Sequence, residues 1–303
     1  MAKFIAIDWG TSSFRLWLVD AGNRVLAERR SGEGMMTARL AGFQKVLASH
    51  LGAIQASTDL PIIICGMAGA RQGWMEAGYV DTPASLSSIL DGAVRIPDAP
   101  QDIRILPGLA QRSSNAPDVI RGEETQLIGA LDNTRSEEQI VCMPGTHSKW
   151  VRVSGSTVSG FSTFMTGELF NVISKHSVLS HSVADAEAFS SDTPAFITAV
   201  RNAWSSPQPV TNLLFTVRSG QLLHGLSATD AAARLSGTLI GAEIAGGLAG
   251  IEGGPVIRLV ASGRLGDLYG GAFDALELDH QKIDADEAVR RGLAAAARHI
   301  FFQ

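Results

Sequence analysis

A short pattern occurs twice in this chain of 303 residues, and it limits the folds open to it more than any other feature. The first copy reads Ile5-Ala-Ile-Asp-Trp-Gly10-Thr11-Ser12-Ser13-Phe-Arg15-Leu-Trp-Leu-Val19. The second reads Ile140-Val-Cys-Met-Pro-Gly145-Thr146-His147-Ser148-Lys149-Trp-Val-Arg-Val153. Each copy is an apolar strand, a Gly-Thr-x-Ser turn, a basic residue and a second strand. Each then reaches a further turn, at Gly22 or at Gly155. Turns rich in Gly and hydroxyl residues offer backbone N–H groups and small donors that suit phosphate oxygens. Two such hairpins, one per domain, can grip a nucleoside triphosphate from both sides of a cleft. The pattern points to a two-domain phosphotransferase.

The remaining composition agrees with that reading. The length suggests two domains, and 45% hydrophobic residues supply a sizeable core. A net charge of −5 argues against a nucleic-acid partner, which usually calls for a basic surplus. The two cysteines, Cys65 and Cys142, each end an apolar run and read as buried, reduced thiols of a cytosolic protein. No signal-peptide pattern is expected. The apolar stretches are too short and too broken for a membrane span.

Along the chain, the first hairpin covers about residues 3–30. Helical spacing follows over 38–56, with Leu40, Phe43, Val46, Leu47 and Leu51 on one face. Pro61-Ile-Ile-Ile-Cys65 reads as a buried parallel strand. A loop then carries Arg71, residues 102–106 form another strand, and a helix begins near Glu123. The polar run 132–139 marks the domain boundary, with domains at 1–133 and 134–303. In the second half, Thr166 is expected to cap a helix over about 167–179. Residues 192–246 read as mostly helical, and 255–261 as a strand that ends in Ser262-Gly263-Arg264-Leu265. A last helix opens at the capping pair Asp284/Glu287. Hairpins followed by alternating helices and strands, twice over, predict two α/β domains with mixed sheets.

Individual residues carry the chemistry. Asp8 ends its strand beside the turn, where a carboxylate can hold Mg²⁺, partly through water. Arg15 and Lys149 follow the two turns and can neutralise phosphate charge, and His147 can donate to phosphate or sugar. Arg71 lies past the carboxyl end of a strand, where open α/β sheets bind ligands, and it suits a carboxylate. Glu123 and Glu124 open a helix, and either can serve as the base that phosphoryl transfer still needs. Asp118 is their rival. No P-loop, no dinucleotide fingerprint, no His-Glu-x-x-His or Cys-pair metal site and no Gly-x-Ser-x-Gly elbow occurs.

Several motifs together resemble the 2-dehydro-3-deoxygalactonokinase family. They are Ala6-Ile-Asp-Trp-Gly-Thr11, Gly66-Met-Ala-Gly-Ala-Arg-Gln-Gly-Trp74 with Tyr79-Val80, and Arg121-Gly-Glu-Glu-Thr-Gln126. Pro144-Gly-Thr-His-Ser-Lys-Trp150, Phe164-Met-Thr-Gly-Glu-Leu-Phe170 and Leu235-Ser-Gly-Thr-Leu-Ile-Gly-Ala-Glu243 complete the set, so the likeness covers nearly the whole chain. It implies the α/β fold of sugar kinases, Hsp70 and actin, of the ribonuclease H-like type, with mixed sheets flanked by helices and the active cleft between two domains. It also implies a first phosphate loop at Asp8, Gly10, Thr11, Ser12 and Ser13, and a second at Gly145, Thr146, His147, Ser148 and Lys149. Adenosine would lie against Gly241, Ser262, Gly263, Arg264 and Leu265. Arg71, Arg121 and Arg15 are the substrate-side candidates, Glu123 and Glu124 the candidate bases, and ATP and Mg²⁺ the cofactors. Superfamily members commonly use an Asp where this chain has Glu123 and Glu124.

The implied reaction is ATP-dependent phosphorylation of 2-dehydro-3-deoxy-D-galactonate at its 6-hydroxyl, in galactonate breakdown in the cytoplasm. The implied partner is a small sugar acid, with no nucleic acid or membrane and with room for a homodimer. Two alternatives stay open: a kinase for another sugar acid, and a nucleotide-binding ATPase-like regulator without a sugar substrate.

Overall fold

The computed structural model describes residues 3–131, 138–251 and 253–302. They form two compact units. The first comprises Met1–Glu137, Val153–Gly160 and Ala285–Gln303, and the second Glu138–Arg152 and Phe161–Asp284. The boundary expected at 133/134 lies outside the described residues.

The first unit runs β1 (Lys3–Trp9), β2 (Phe14–Asp20), β3 (Val25–Ser31), α1 (Met35–Ala41), α2 (Phe43–Ala53), β4 (Ile62–Gly66), β5 (Tyr79–Asp81), β6 (Ala84–Ser85), α3 (Leu86–Asp91), β7 (Val94–Arg95), β8 (Ile103–Ile105), β9 (Gly108–Gln111), β10 (Asp118–Ile120) and α4 (Glu123–Ala130). There follow β11 (Glu138–Met143), β12 (Ser148–Ser154), β13 (Thr157–Phe164), α5 (Thr166–His176), α6 (Ser180–Val183), α7 (Pro194–Ser205), α8 (Val210–His224), α9 (Ala228–Gly247), β14 (Ile257–Val260), α10 (Gly263–Ala275) and β15 (His280–Ile283). The closing helix α11 (Ala285–Phe301) belongs to the first unit.

The main sheet of the first unit has the order β3-β2-β1-β4-β8-β7. Its β1/β2/β3 meander is antiparallel, and β1, β4 and β8 are parallel. Residues 62–66 are buried on both faces, as a continuous apolar run between Pro and Gly requires. In the second unit β15, β14, β11, β12 and β13 lie in that order, with β14 parallel to β11 and β15. Cys65 and Cys142 are free and buried in these two sheets. Both sheets are mixed and flanked by helices, as the hairpin-then-alternation pattern predicts. Among the described residues no helix is long and apolar enough to cross a membrane.

Two local expectations are corrected. The helix expected over 38–56 breaks at Gly42, whose φ of +94° suits glycine. The break turns α1 relative to α2. Phe43, Val46 and Leu47 reach the core, while Leu40 is 87% exposed. Thr166 does not cap α5, because Met165 holds that position and Thr166 hydrogen-bonds instead to Glu243.

The closing helix packs on α4 through two glycines. A Cβ on Gly292 would lie 1.9 Å from the Thr125 carbonyl, and one on Gly129 1.9 Å from the Ala288 carbonyl. Both obstacles are helix backbone, which cannot step aside locally. Gly292→Ala should therefore destabilise the protein by about 1–3 kcal/mol or more, read as an earlier midpoint in urea. An unchanged midpoint would contradict this packing.

Candidate active site

The hairpin register sets the first feature. Asp8 on β1 stands directly opposite Arg15 on β2, and opposite charges in such a pair attract. Arg15 Nη2 donates to Asp8 Oδ2 at 2.5 Å, and Nη1 donates to Asp286 at the start of α11. Arg30 Nη2 donates to the other Asp286 oxygen at 2.7 Å. Arg15 is thus engaged by two carboxylates, Asp8 and Asp286. Burial pushes the Asp8 carboxyl above its ordinary range. Arg15 opposes that shift, and the charges of Asp286 and Glu123 add to it.

Both Gly-Thr turns are held from behind by a helix. In the first, Gly10 N–H donates to the Ser13 carbonyl at 2.9 Å and closes the turn. The first-turn N–H groups of α1 then take up its carbonyls, Met35 onto Gly10 at 2.9 Å and Met36 onto Thr11 at 3.1 Å. Thr11, Ser12 and Ser13 remain exposed. In the second, Glu168 N–H in the first turn of α5 donates to the Thr146 carbonyl at 3.0 Å. A glycine permits each approach. A Cβ on Gly34 would come 2.5 Å from Ser12 and Ser13 backbone, and one on Gly167 2.5 Å from the Gly145 carbonyl. The repeat seen in sequence is therefore a repeat of construction.

The two candidate glutamates part company. Glu124 is fully buried, accepting from Gly122 N–H at 2.5 Å and from the Thr125 hydroxyl at 3.1 Å. Glu123 is half-buried at the start of α4, where an oxygen accepts Arg121 N–H at 3.2 Å. Burial, and then the charge of Glu123, push the Glu124 carboxyl from 4.5 up to about 8. The raised value means that the folded protein holds this proton where the unfolded chain has lost it. The resulting stability is complete below the unfolded value and is lost as pH rises toward the folded one. Glu124→Gln keeps the neutral shape. Its melting temperature should gain on the parent's as pH rises from about 5 to about 8, and a gap independent of pH would contradict the buried acid.

Arg71 is exposed on the loop after β4. Arg121, between β10 and α4, lies with its guanidinium 4.4 Å over the Tyr79 ring and donates Nη2–H to the Gly78 carbonyl at 2.7 Å. Its Nε and Nη1 are buried without a hydrogen-bond partner among the described residues. Unpaired buried donors cost free energy until a ligand meets them.

Around the second turn, a cavity of about 310 Å³ is lined by Gly145, Thr146 and Gly167 at one end and by Phe189, Arg264 and Leu265 among others. Arg264 stacks 4.6 Å over the Phe189 ring. Three further residues expected beside adenosine are placed as follows. Gly241 packs against α7, where a Cβ would meet the Val200 carbonyl at 2.4 Å. Ser262 donates its hydroxyl to Asp284 at 2.7 Å. Gly263, in the left-handed region at φ +58°, starts α10 directly before Arg264. Of the expected turn donors, Thr146 and His147 are exposed, and His147 pairs with Glu168 at 2.5 Å. Ser148 is fully buried against the Tyr269 hydroxyl at 3.1 Å. Lys149 is 6% exposed, and its Nζ donates to the His147 carbonyl at 2.7 Å, bracing the turn from within.

Residue-by-residue reading missed Asp286, Phe189, Tyr269 and Glu243. Only Glu243 carried a local signal, a carboxylate within the apolar helical stretch Leu239-Ile-Gly-Ala-Glu243-Ile244, because a buried carboxylate demands partners.

A family model described as 2-keto-3-deoxy-galactonokinase matches residues 8–296. The chain is 34% identical over 304 residues to the 2-dehydro-3-deoxygalactonokinase of Escherichia coli (strain K12), covering 99% of each. A crystal structure described as a candidate 2-dehydro-3-deoxygalactonokinase protein from Sinorhizobium meliloti superposes with a TM-score of 0.96. It is 58% identical and covers 99% of this chain and 100% of its own. The activator of the 2-hydroxyisocaproyl-CoA dehydratase from Clostridium difficile, solved with bound ADPNP, is 12% identical with a TM-score of 0.50. The match covers 97% of this chain and 94% of that one, and shows shared fold alone.

Proposed function

This chain belongs to the 2-keto-3-deoxy-galactonokinase family, and from that premise we propose that it carries the γ-phosphoryl group of ATP to the 6-hydroxyl of 2-dehydro-3-deoxy-D-galactonate. It is a phosphotransferase with an alcohol acceptor, a kinase for 2-keto-3-deoxygalactonate. The observation that supports the mechanism most is the pair of Gly-Thr turns, each braced from behind by a helix start that approaches through a glycine.

In this reading both turns act on one triphosphate. Thr11, Ser12 and Ser13 serve it from the first, and Gly145, Thr146 and His147 from the second. The nucleoside occupies the cavity beside Arg264, Leu265 and Phe189. Asp8 fits Mg²⁺ by donor chemistry, because that ion takes one or two carboxylates together with phosphate oxygens and water. Among the described residues no cluster of three or more His, Cys, Asp or Glu forms a dedicated cage. When bound, the ion would neutralise phosphate charge. Arg15 and Asp286 keep Asp8 in place. Glu123, not the buried Glu124, orients the acceptor hydroxyl and takes its proton. We place the reaction in the cytoplasm, within galactonate breakdown.

Arg121 is the stronger candidate for the sugar carboxylate, since its buried Nε and Nη1 lack partners. A charge-assisted hydrogen bond contributes about 1.5–3 kcal/mol. Arg121→Ala should raise KM for the keto acid roughly 10- to 100-fold and leave KM for ATP unchanged. If instead Arg71→Ala has that effect and Arg121→Ala does not, the carboxylate belongs to Arg71.

A coupled ADP-release assay tests the whole reading, with 2-dehydro-3-deoxygalactonate beside its gluconate epimer. ADP release that depends on the galactonate compound supports it. Slow hydrolysis that no sugar acid stimulates would favour the ATPase-like regulator.

A further inference from the structure

Behind the second turn lies a buried carboxylate with no assigned role. Glu243, on α9, is 2% exposed. One of its oxygens accepts Trp150 Nε1–H at 2.9 Å, and the other accepts the Tyr269 hydroxyl at 2.6 Å. The side chains of Thr166 and Ser148 hydrogen-bond to it as well. Its donors therefore come from β12, the start of α5 and α10. Of these elements α5 and α10 line the cavity, Thr166 and Tyr269 among their residues, while β12 follows the turn that lines it at Gly145 and Thr146.

The proton count gives this hub a direction. The Tyr269 hydroxyl has one proton and gives it to Glu243, so toward Ser148 it can only accept. Ser148 has one proton, and both of its partners, Tyr269 and Glu243, receive protons. The Ser148 hydroxyl is thus committed inward, and it fixes the end of the turn whose backbone begins at Gly145. Thr166 is fixed by the same carboxylate, one residue before Gly167, where an added Cβ would lie 2.5 Å from the Gly145 carbonyl.

We propose that Glu243 is a positioning residue of the nucleotide side, one that sets the Ser148 and Thr166 hydroxyls and through them the shape of the 145–148 turn. The inference rests on the reading that this turn holds a triphosphate. It assigns Glu243 no contact with substrate.

Glu243→Gln reverses one hydrogen-bonding group, since the amide nitrogen donates where the carboxylate accepted. Tyr269 or Ser148 must then turn its proton around. Binding of a non-hydrolysable ATP analogue would be measured by calorimetry, and kcat and both KM values by the coupled assay, on protein shown to be folded. Expected for Glu243→Gln is a nucleotide Kd raised about tenfold and a lower kcat, with KM for the sugar acid within twofold of the parent. Tyr269→Phe, which removes the shared hydroxyl and keeps the ring, should move the same parameters in the same direction. It decides the matter if Glu243→Gln does not fold. Folded variants with parental nucleotide Kd and kcat would overturn the proposal, as would an equal rise in both KM values. A parent protein that fails to bind the analogue would instead remove the underlying phosphate reading.

Discussion

Asp8→Asn should fold at least as stably as the parent and lose about 1,000-fold in kcat, the scale seen when one preorganised electrostatic group is removed from an active site. The two halves of that expectation have separate causes. Burial raises the Asp8 carboxyl above its ordinary range despite Arg15, so the fold disfavours the charged form. A neutral amide of the same shape relieves that cost, and Arg15 keeps its pairing with Asp286. The turnover loss follows from the proposed role of Asp8, whose carboxylate charge would hold the metal that an amide holds poorly. Thermal melts and kcat measured together check it. A variant that turns over at the parent rate would take the metal away from Asp8, and one that unfolds would make the carboxylate structural.

Glu123→Gln should lower kcat by about 100- to 10,000-fold, the usual range for loss of a general base, with little change in either KM. Its neighbour provides the control. Glu124 is fully buried and bonded inward, so Glu124→Gln should leave kcat within a few-fold of the parent. Steady-state kinetics on both variants decide between adjacent residues of one helix start. If Glu124→Gln is the damaging change and Glu123→Gln is mild, the assignment is reversed.

These predictions rest on features of unequal legibility. The Asp8-Trp-Gly10-Thr11 turn could be read because a continuous apolar run and the Gly-hydroxyl turn that ends it are local properties. The pairing of Asp8 with Arg15 follows from hairpin register alone. By contrast, the pairing of Arg15 with Asp286, from the far end of the chain, has no local signal. The seat of that closing helix depends on the Gly129 and Gly292 contacts, which no local pattern announces. The burial of Ser148 and Lys149 was not legible for a related reason. Strand alternation does not tell which side chains a third element covers, and Tyr269 of α10 covers Ser148. Gly241, expected beside adenosine, serves the α7–α9 contact, and the same residue type suits either use.

The central claim is that both turns hold a single triphosphate. A crystal structure of this protein with a non-hydrolysable ATP analogue and Mg²⁺ tests it most directly. The account predicts hydrogen bonds to one phosphate chain from residues 10–13 and from residues 145–147 together. Phosphates bound by one turn alone, with the other turn bare, would contradict it.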